Sequence, residues 1–171
     1  MIEKMPWLER AFAFGLPVEM FPNVLERLRG TPARVEDRLG EVAPGRLTSR
    51  PGEAWSILEN VGHLLLVEEL HVGRVDDFLA GAPVLRPAAY AAGRVEAAGF
   101  NEHGLADLLQ AFRAARSRHV EKLERLGAAE VGRRSMHPRL NREVNVLDMM
   151  VFAAEHDDHH LARITELLAR S

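Results

Sequence analysis

Four stretches of this chain repeat apolar residues at spacings of three and four, and a stripe of that period is buried only when a helix packs against something else. The clearest spans residues 56–80. It opens with Ser56-Ile57-Leu58-Glu59, a hydroxyl followed three residues later by a carboxylate, which is the reciprocal cap of a helix start, and it stops before Gly81. The first stretch, residues 19–42, is interrupted at Gly30-Thr31-Pro32. Thr31 can cap there and Pro32 can take the first helical position, so a kink is expected. The third, residues 105–126, carries Leu105, Leu108, Leu109, Phe112 and Leu123 and ends at Gly127; the fourth starts near Asn145, a good cap, and continues to the last residue. No run of alternating polarity bounded by hairpin turns competes for a sheet. The expected fold is all-α: a four-helix bundle in a single domain over residues 1–171, with 47% hydrophobic residues to fill its core. The connection 81–104 is long and rich in Pro, Gly and Ala. It predicts a crossover that leaves the second and third helices parallel and lets the second and fourth face each other.

Composition narrows the chemistry. The net charge of −3 offers no basic excess for a phosphate backbone or an anionic membrane, so neither nucleic acid nor a membrane is an expected partner. Residues 1–20 intersperse Glu3, Lys4, Glu9, Arg10 and Glu19 among apolar residues, unlike a secretory signal, and no stretch approaches the ~20 apolar residues that span a bilayer. A cytoplasmic protein is expected. There is no cysteine, which removes disulfides, thiolate nucleophiles and every cysteine-bearing metal site. Any metal must therefore sit on His, Asp, Glu or water. Neither a Gly-x-Ser-x-Gly nor a Gly-x-Gly-x-x-Gly motif occurs.

Among eight histidines, position separates candidates from bystanders. At ~100° per residue, Val146, Met149, Ala153, Ile164 and Leu167 form one apolar stripe of the last helix, and His156 and His160 fall inside it. Asp148, Glu155 and Glu166 lie on another side, Asp158 and Thr165 roughly opposite, and His159 at a margin expected to face solvent. Two imidazoles four residues apart on one helical face can bind one metal ion. A third ligand is offered by His63, which shares a face with Val67 and Leu70 in a strongly apolar run. Imidazole among leucines is costly unless both ring nitrogens find partners, which a metal and an outer acceptor would provide. A single histidine on such a face is more often a hydrogen-bonded core residue, so the pair carries more weight than His63 alone. His71, His103, His119 and His137 sit in polar or irregular contexts with no partner at ligand spacing and read as ordinary residues. Asp157, Glu68 and Arg163 border the site and are candidates to orient its ligands. Glu68-Glu69-Leu70-His71 has the Glu-x-x-His spacing of di-iron bundles, but a second such motif and the further glutamates are missing.

Three segments together resemble the DinB/YfiT-like family: Phe21 through Arg34, Trp55 through Leu64, and Glu155 through Ile164. The family's histidine in the second helix and His-x-x-x-His pair in the last match His63, His156 and His160. The resemblance implies an up-down-down-up bundle, one divalent ion such as zinc or nickel on those three histidines, and a homodimer. It also implies thiol chemistry, since related members are transferases or isomerases that use low-molecular-weight thiols.

Three neutral ligands leave a metal its full charge and an open position, as catalytic sites do. Such an ion can activate a thiol or a water. The expected function is thus metal-dependent transfer of a low-molecular-weight thiol to a small-molecule electrophile. Metal-dependent hydrolysis, with Glu68 or Asp157 as proton acceptor, is one alternative. A non-catalytic metal- or small-molecule-binding stress protein is another.

Overall fold

The computed structural model describes residues 5–88 and 93–169; residues 1–4, residues 89–92 of the long connection and the last two residues lie outside it. The helices are α1 (Phe21–Arg29), α2 (Thr31–Leu39), α3 (Pro44–Leu47), α4 (Ile57–Leu79), α5 (Arg94–Ala97), α6 (Leu105–Glu124), α7 (Ala128–Val131) and α8 (Val146–Ala169). Their starts follow the sequence signals. The Ser56 hydroxyl accepts from the Glu59 amide while the Glu59 carboxylate accepts from the Ser56 amide, closing the cap of α4. Asn145 and Asp148 cap α8 in the same reciprocal way, at 2.8 and 3.2 Å.

The expected kink is a junction between two abutting helices at Gly30, which keeps a right-handed helical backbone. Its consequence is a carbonyl in need of a donor. Pro32 has no N–H to give to Leu28, and the guanidinium of Arg116 on α6 donates to the Leu28 oxygen instead, at 2.9 Å. Thr31 does not cap; its hydroxyl reaches Asp157 on α8, at 2.8 Å.

Cross-helix contacts give the directions. Glu68 meets Arg116 and Asp76 meets Lys122, so α4 and α6 run parallel. Asn60 meets His160 and His63 meets His156, so α4 and α8 run antiparallel. Two apolar clusters fill the bundle. One gathers Leu28, Val75, Phe78, Leu123 and Met150; the other gathers Val35, Leu64, Phe112, Ile164 and Leu167. Between them lies a belt of buried polar side chains that contains His63, Glu68, His71, Arg116, His119, His156, Asp157 and His160.

The all-α expectation needs one correction. Strands β1 (Arg134–His137) and β2 (Arg142–Asn145) pair antiparallel, with Asn141 in the left-handed conformation that its side chain tolerates closing the turn. Four residues per strand are too few for a periodicity signal. The beginning of the long connection extends the hairpin, Leu85 donating to Met136 and Met136 to Pro83, each at 3.0 Å. Residues 5–20 lie along α8: Arg10 pairs with Glu155, the Gly15 amide donates to Asp148 at 2.7 Å, and Trp7 and Phe12 pack edge-on or tilted against Phe152. Asp148 is therefore buried and Glu155 half-buried, on a side of α8 that periodicity alone assigns to solvent. Among the described residues no helix is long and apolar enough to cross a membrane.

Candidate metal centre

The cap at Ser56 fixes where α4 starts, and so sets Asn60 and His63 on the side of that helix that faces α8. There His63 Nε2 stands 3.1 Å from His156 Nε2, and His160 Nε2 stands 3.2 Å from the same atom. All three rings are at most 9% exposed.

The tautomer of His160 follows from its neighbours. Asn60 donates its amide N–H to the Ser56 carbonyl at 2.7 Å, which turns its oxygen toward His160 Nδ1, at 2.8 Å. His160 must then carry its proton on Nδ1 and present a lone pair at Nε2. Burial, reinforced by His71 and His159, pushes His63 down to about 4, and burial with His160 and His63 beside it pushes His156 well below the imidazole range. His63 and His156 are thus neutral near pH 7, the form that ligates metal. For ligands about 2.05 Å from an ion, neighbouring nitrogens would be about 3.3 Å apart in a tetrahedral site and about 2.9 Å in an octahedral one. The observed 3.1 and 3.2 Å fall between these values. The donor set and its spacing fit a divalent ion.

Aromatic rings flank the three histidines: Trp55 lies over His63 and His160, and Trp7 meets His156 edge-on, with centroids 5.1 Å apart. A cavity of about 190 Å³ opens onto His63 and His156, walled by Trp7, Val67, Leu70 and Phe152. His159 is only partly exposed, because Trp7 covers it.

Glu68, Asp157 and Arg163 do not reach the three rings through any observed hydrogen bond. Arg163 pairs with Glu166 on its own helix. Glu68 and Asp157 flank Arg116, which is 1% exposed and contacts each carboxylate at 2.6 Å. Burial alone would raise Glu68, yet Arg116, with His119 and His71, holds it well below the carboxylate range. Asn60, absent from the sequence expectations, takes the orienting role. Its signal was its place one turn before His63 on a capped helix.

His71 and His119 are buried as well, contrary to the expectation from sequence. With Glu68 they form a second group able to hold a metal ion among the described residues. Its carboxylate is already engaged, by the Arg116 guanidinium and by His119 Nδ1 at 3.0 Å. A dication there would face a fixed positive charge across one carboxylate, so the three-histidine group is the better seat. The spacing of Leu108, Phe112, Arg116, His119 and Leu123 along α6 is that of one helical face, and was the available sign that Arg116 and His119 point inward. His137 is also buried, and lines the cavity, whereas His103 is exposed.

Comparison with known proteins agrees with this architecture. A solved structure, described as YfiT from Bacillus subtilis, "a probable metal-dependent hydrolase with an unusual four-helix bundle topology", superposes with a TM-score of 0.79 at 20% identity, over 95% of this chain and 93% of that one. At that identity the likeness concerns the fold. Among curated proteins none matches. The family model described as the DinB superfamily matches residues 27–164, a span that holds all three histidines of the centre and most of the bundle, and the chain belongs to that superfamily.

Proposed function

We propose that the chain is a metal-dependent hydrolase of small molecules, its divalent ion, zinc or nickel, held by His63, His156 and His160. The observation that carries this reading is the meeting of three buried imidazole nitrogens, two of them, on His63 and His156, at the wall of a cavity. When bound, an ion with three neutral ligands supplies a Lewis acid that brings water toward a pKa of ~7. The chain's own residues hold and shield that centre. Asn60 fixes the His160 ring, and Trp7, Val67 and Phe152 give the cavity an apolar wall beside His63 and His156. His71, kept neutral chiefly by burial, lines the same cavity and is available to accept a proton. The description of YfiT as a probable metal-dependent hydrolase supports the same class. A cavity of about 190 Å³ suits one small substrate with water better than a substrate together with a bulky thiol.

Transfer of a low-molecular-weight thiol is the second reading. It is favoured by the lack of any carboxylate among the described residues lining the cavity, since a thiol ionises without a strong base. The up-down-down-up order of helices with a crossover over 81–104 belongs to the same proposal, supported by the parallel α4–α6 and antiparallel α4–α8 contacts. So do the homodimer that the resemblance implies and the cytoplasmic location expected from the charged residues among 1–20.

Elemental analysis of untagged protein tests the centre. About one divalent ion per chain is expected, lost in His63→Ala, His156→Ala and His160→Ala and kept in His119→Ala and His159→Ala. Activated esters and amides, assayed with and without added thiol and electrophile, then separate the chemistries. Turnover without thiol supports hydrolysis; turnover only with thiol supports transfer. A wild-type protein that takes up no metal refutes both and leaves a non-catalytic binding protein.

A further inference from the structure

The apolar walls of the cavity come from two kinds of element. Val67 and Leu70 stand on α4 and Phe152 on α8, whereas Trp7 stands on the strap of residues 5–20, in a single helical turn at Trp7–Glu9. The backbone hydrogen bonds of that turn stay within the strap, Glu9 donating to the Pro6 carbonyl at 3.1 Å and Arg10 to that of Trp7 at 3.4 Å. Side chains of α8 hold the strap in place: Glu155 pairs with Arg10, and Asp148 accepts from the Gly15 amide. Trp7 therefore packs half-buried against the core from outside, and its side chain can be changed without opening the bundle.

The indole touches the walls of two hollows. It meets His156 and Phe152 edge-on, with ring centres 5.1 and 5.0 Å away, and both of these line the cavity of about 190 Å³. It also meets His159, at 5.5 Å, and the Arg10 guanidinium, 5.4 Å from the ring centre. Those two residues, with Met5, Asp158 and Ala162, line a second hollow of about 400 Å³. Trp7 is thus the partition between the two. The smaller hollow sets a size. A cavity of about 150 Å³ admits benzene, so one of about 190 Å³ admits an apolar group of about six carbons.

We propose that Trp7 sets the length of the apolar chain that the cavity accepts: chains of up to about six carbons lie along Val67, Leu70 and Phe152 and end against the indole. A longer chain would have to continue into the hollow at Met5 and His159, and the indole closes that way. The substrates of the metal centre are then esters or amides of unbranched carboxylic acids no longer than hexanoic acid. Water adds its oxygen to the acyl carbon, the acyl–oxygen or acyl–nitrogen bond breaks, and the departing alcohol or amine takes up a proton of that water. This substrate class rests on the hydrolase reading; the wall does not.

The wall is tested first on metal-free protein, with straight-chain alcohols from butanol to octanol as probes and affinity read from the methyl resonances of Val67 and Leu70. In the wild type each added methylene should tighten binding about fourfold as far as hexanol, the gain for a CH₂ taken out of water, and octanol should bind no more tightly than hexanol. Hexanol should also shift the Trp7 indole N–H resonance, identified by its loss in Trp7→Phe. In Trp7→Ala the gain should continue, octanol binding about tenfold more tightly than hexanol. Trp7→Leu, which keeps more of the packing, should move the break past hexanol as well. Gains that run unbroken to octanol in the wild type overturn the proposal, as does a break at hexanol that persists in both variants, or a Trp7 resonance that hexanol leaves unmoved. On metal-loaded protein, kcat/KM for p-nitrophenyl esters should rise from acetate to hexanoate and level off there, and in Trp7→Ala should rise on to octanoate. An ester profile without that break overturns the substrate class. Failure of every ester to turn over, with the alcohol break in place, sinks the hydrolase reading and leaves the wall intact.

Discussion

Replacing Asn60 by leucine removes the acceptor that fixes the His160 ring with little change in volume. In the wild type the Asn60 oxygen is 2.8 Å from His160 Nδ1, with both residues buried. Without it, the Nδ1–H is left unsatisfied at a cost of about 1–3 kcal/mol, or the proton moves to Nε2, where it blocks the lone pair that faces His156. Outer partners of ligating histidines are worth about 10–100-fold in metal affinity, or about 1.4–2.7 kcal/mol, which matches the desolvation figure. Asn60→Leu should accordingly weaken zinc about 10–100-fold at pH 7, measured by competition with a chromophoric chelator. Asn60→Asp keeps an acceptor for His160 but loses the N–H given to the Ser56 carbonyl, so it should weaken zinc less than Asn60→Leu does. The helix tolerates both changes, since the Asn60 backbone N–H still donates to the Ser56 carbonyl, at 3.1 Å. Undiminished zinc affinity in a folded Asn60→Leu protein would refute the assigned tautomer and the orienting role together.

Arg116→Met should destabilise the fold by about 3–5 kcal/mol in denaturant titration, because it strands two buried carboxylates and the Leu28 carbonyl. Adding Glu68→Gln and Asp157→Asn should recover part of that loss, and a cost below about 1 kcal/mol for the single change would count against a charged belt. Gly62→Ala places a methyl 2.2 Å from the Phe100 ring, so the ring must move; about 1–3 kcal/mol is expected. Phe100→Leu in the same chain should relieve it, and additive effects of the two changes would refute the clash. Metal-free protein should lose stability as pH falls below ~6.5, because His63 stays neutral in the fold down to about 4 while the unfolded chain takes its proton first. Relative to His63→Phe, the loss between pH 6.5 and 4 should approach roughly 3 kcal/mol, and parallel pH profiles of the two proteins would exclude it.

The sequence by itself determined what local interactions determine. The caps at Ser56 and Asn145, the breaks at Gly30 and Gly81, and the placing of His63, His156 and His160 on apolar helical faces depend on residues within four positions of one another. A single chain displays such relations directly. The two strands, with four residues each, were too short to leave a pattern; they pair with each other, and the beginning of the long connection adds hydrogen bonds to β1 alone, at Met136. Only the tertiary structure decided what covers each helix. Residues 5–20 lie over the Asp148 and Glu155 side of α8 and bring Trp7 to His156 of the three-histidine cluster, and the approach of α4, α6 and α8 sets Glu68, Arg116 and Asp157 against one another. Arg116 and His119 share the α6 face of Leu108, Phe112 and Leu123, yet nothing within Arg113-Ala114-Ala115-Arg116-Ser117-Arg118-His119 says what they meet there. They are tolerated in the interior because two carboxylates and a proline-orphaned carbonyl wait for them there, and partners 41 to 88 residues away cannot be read from the segment itself.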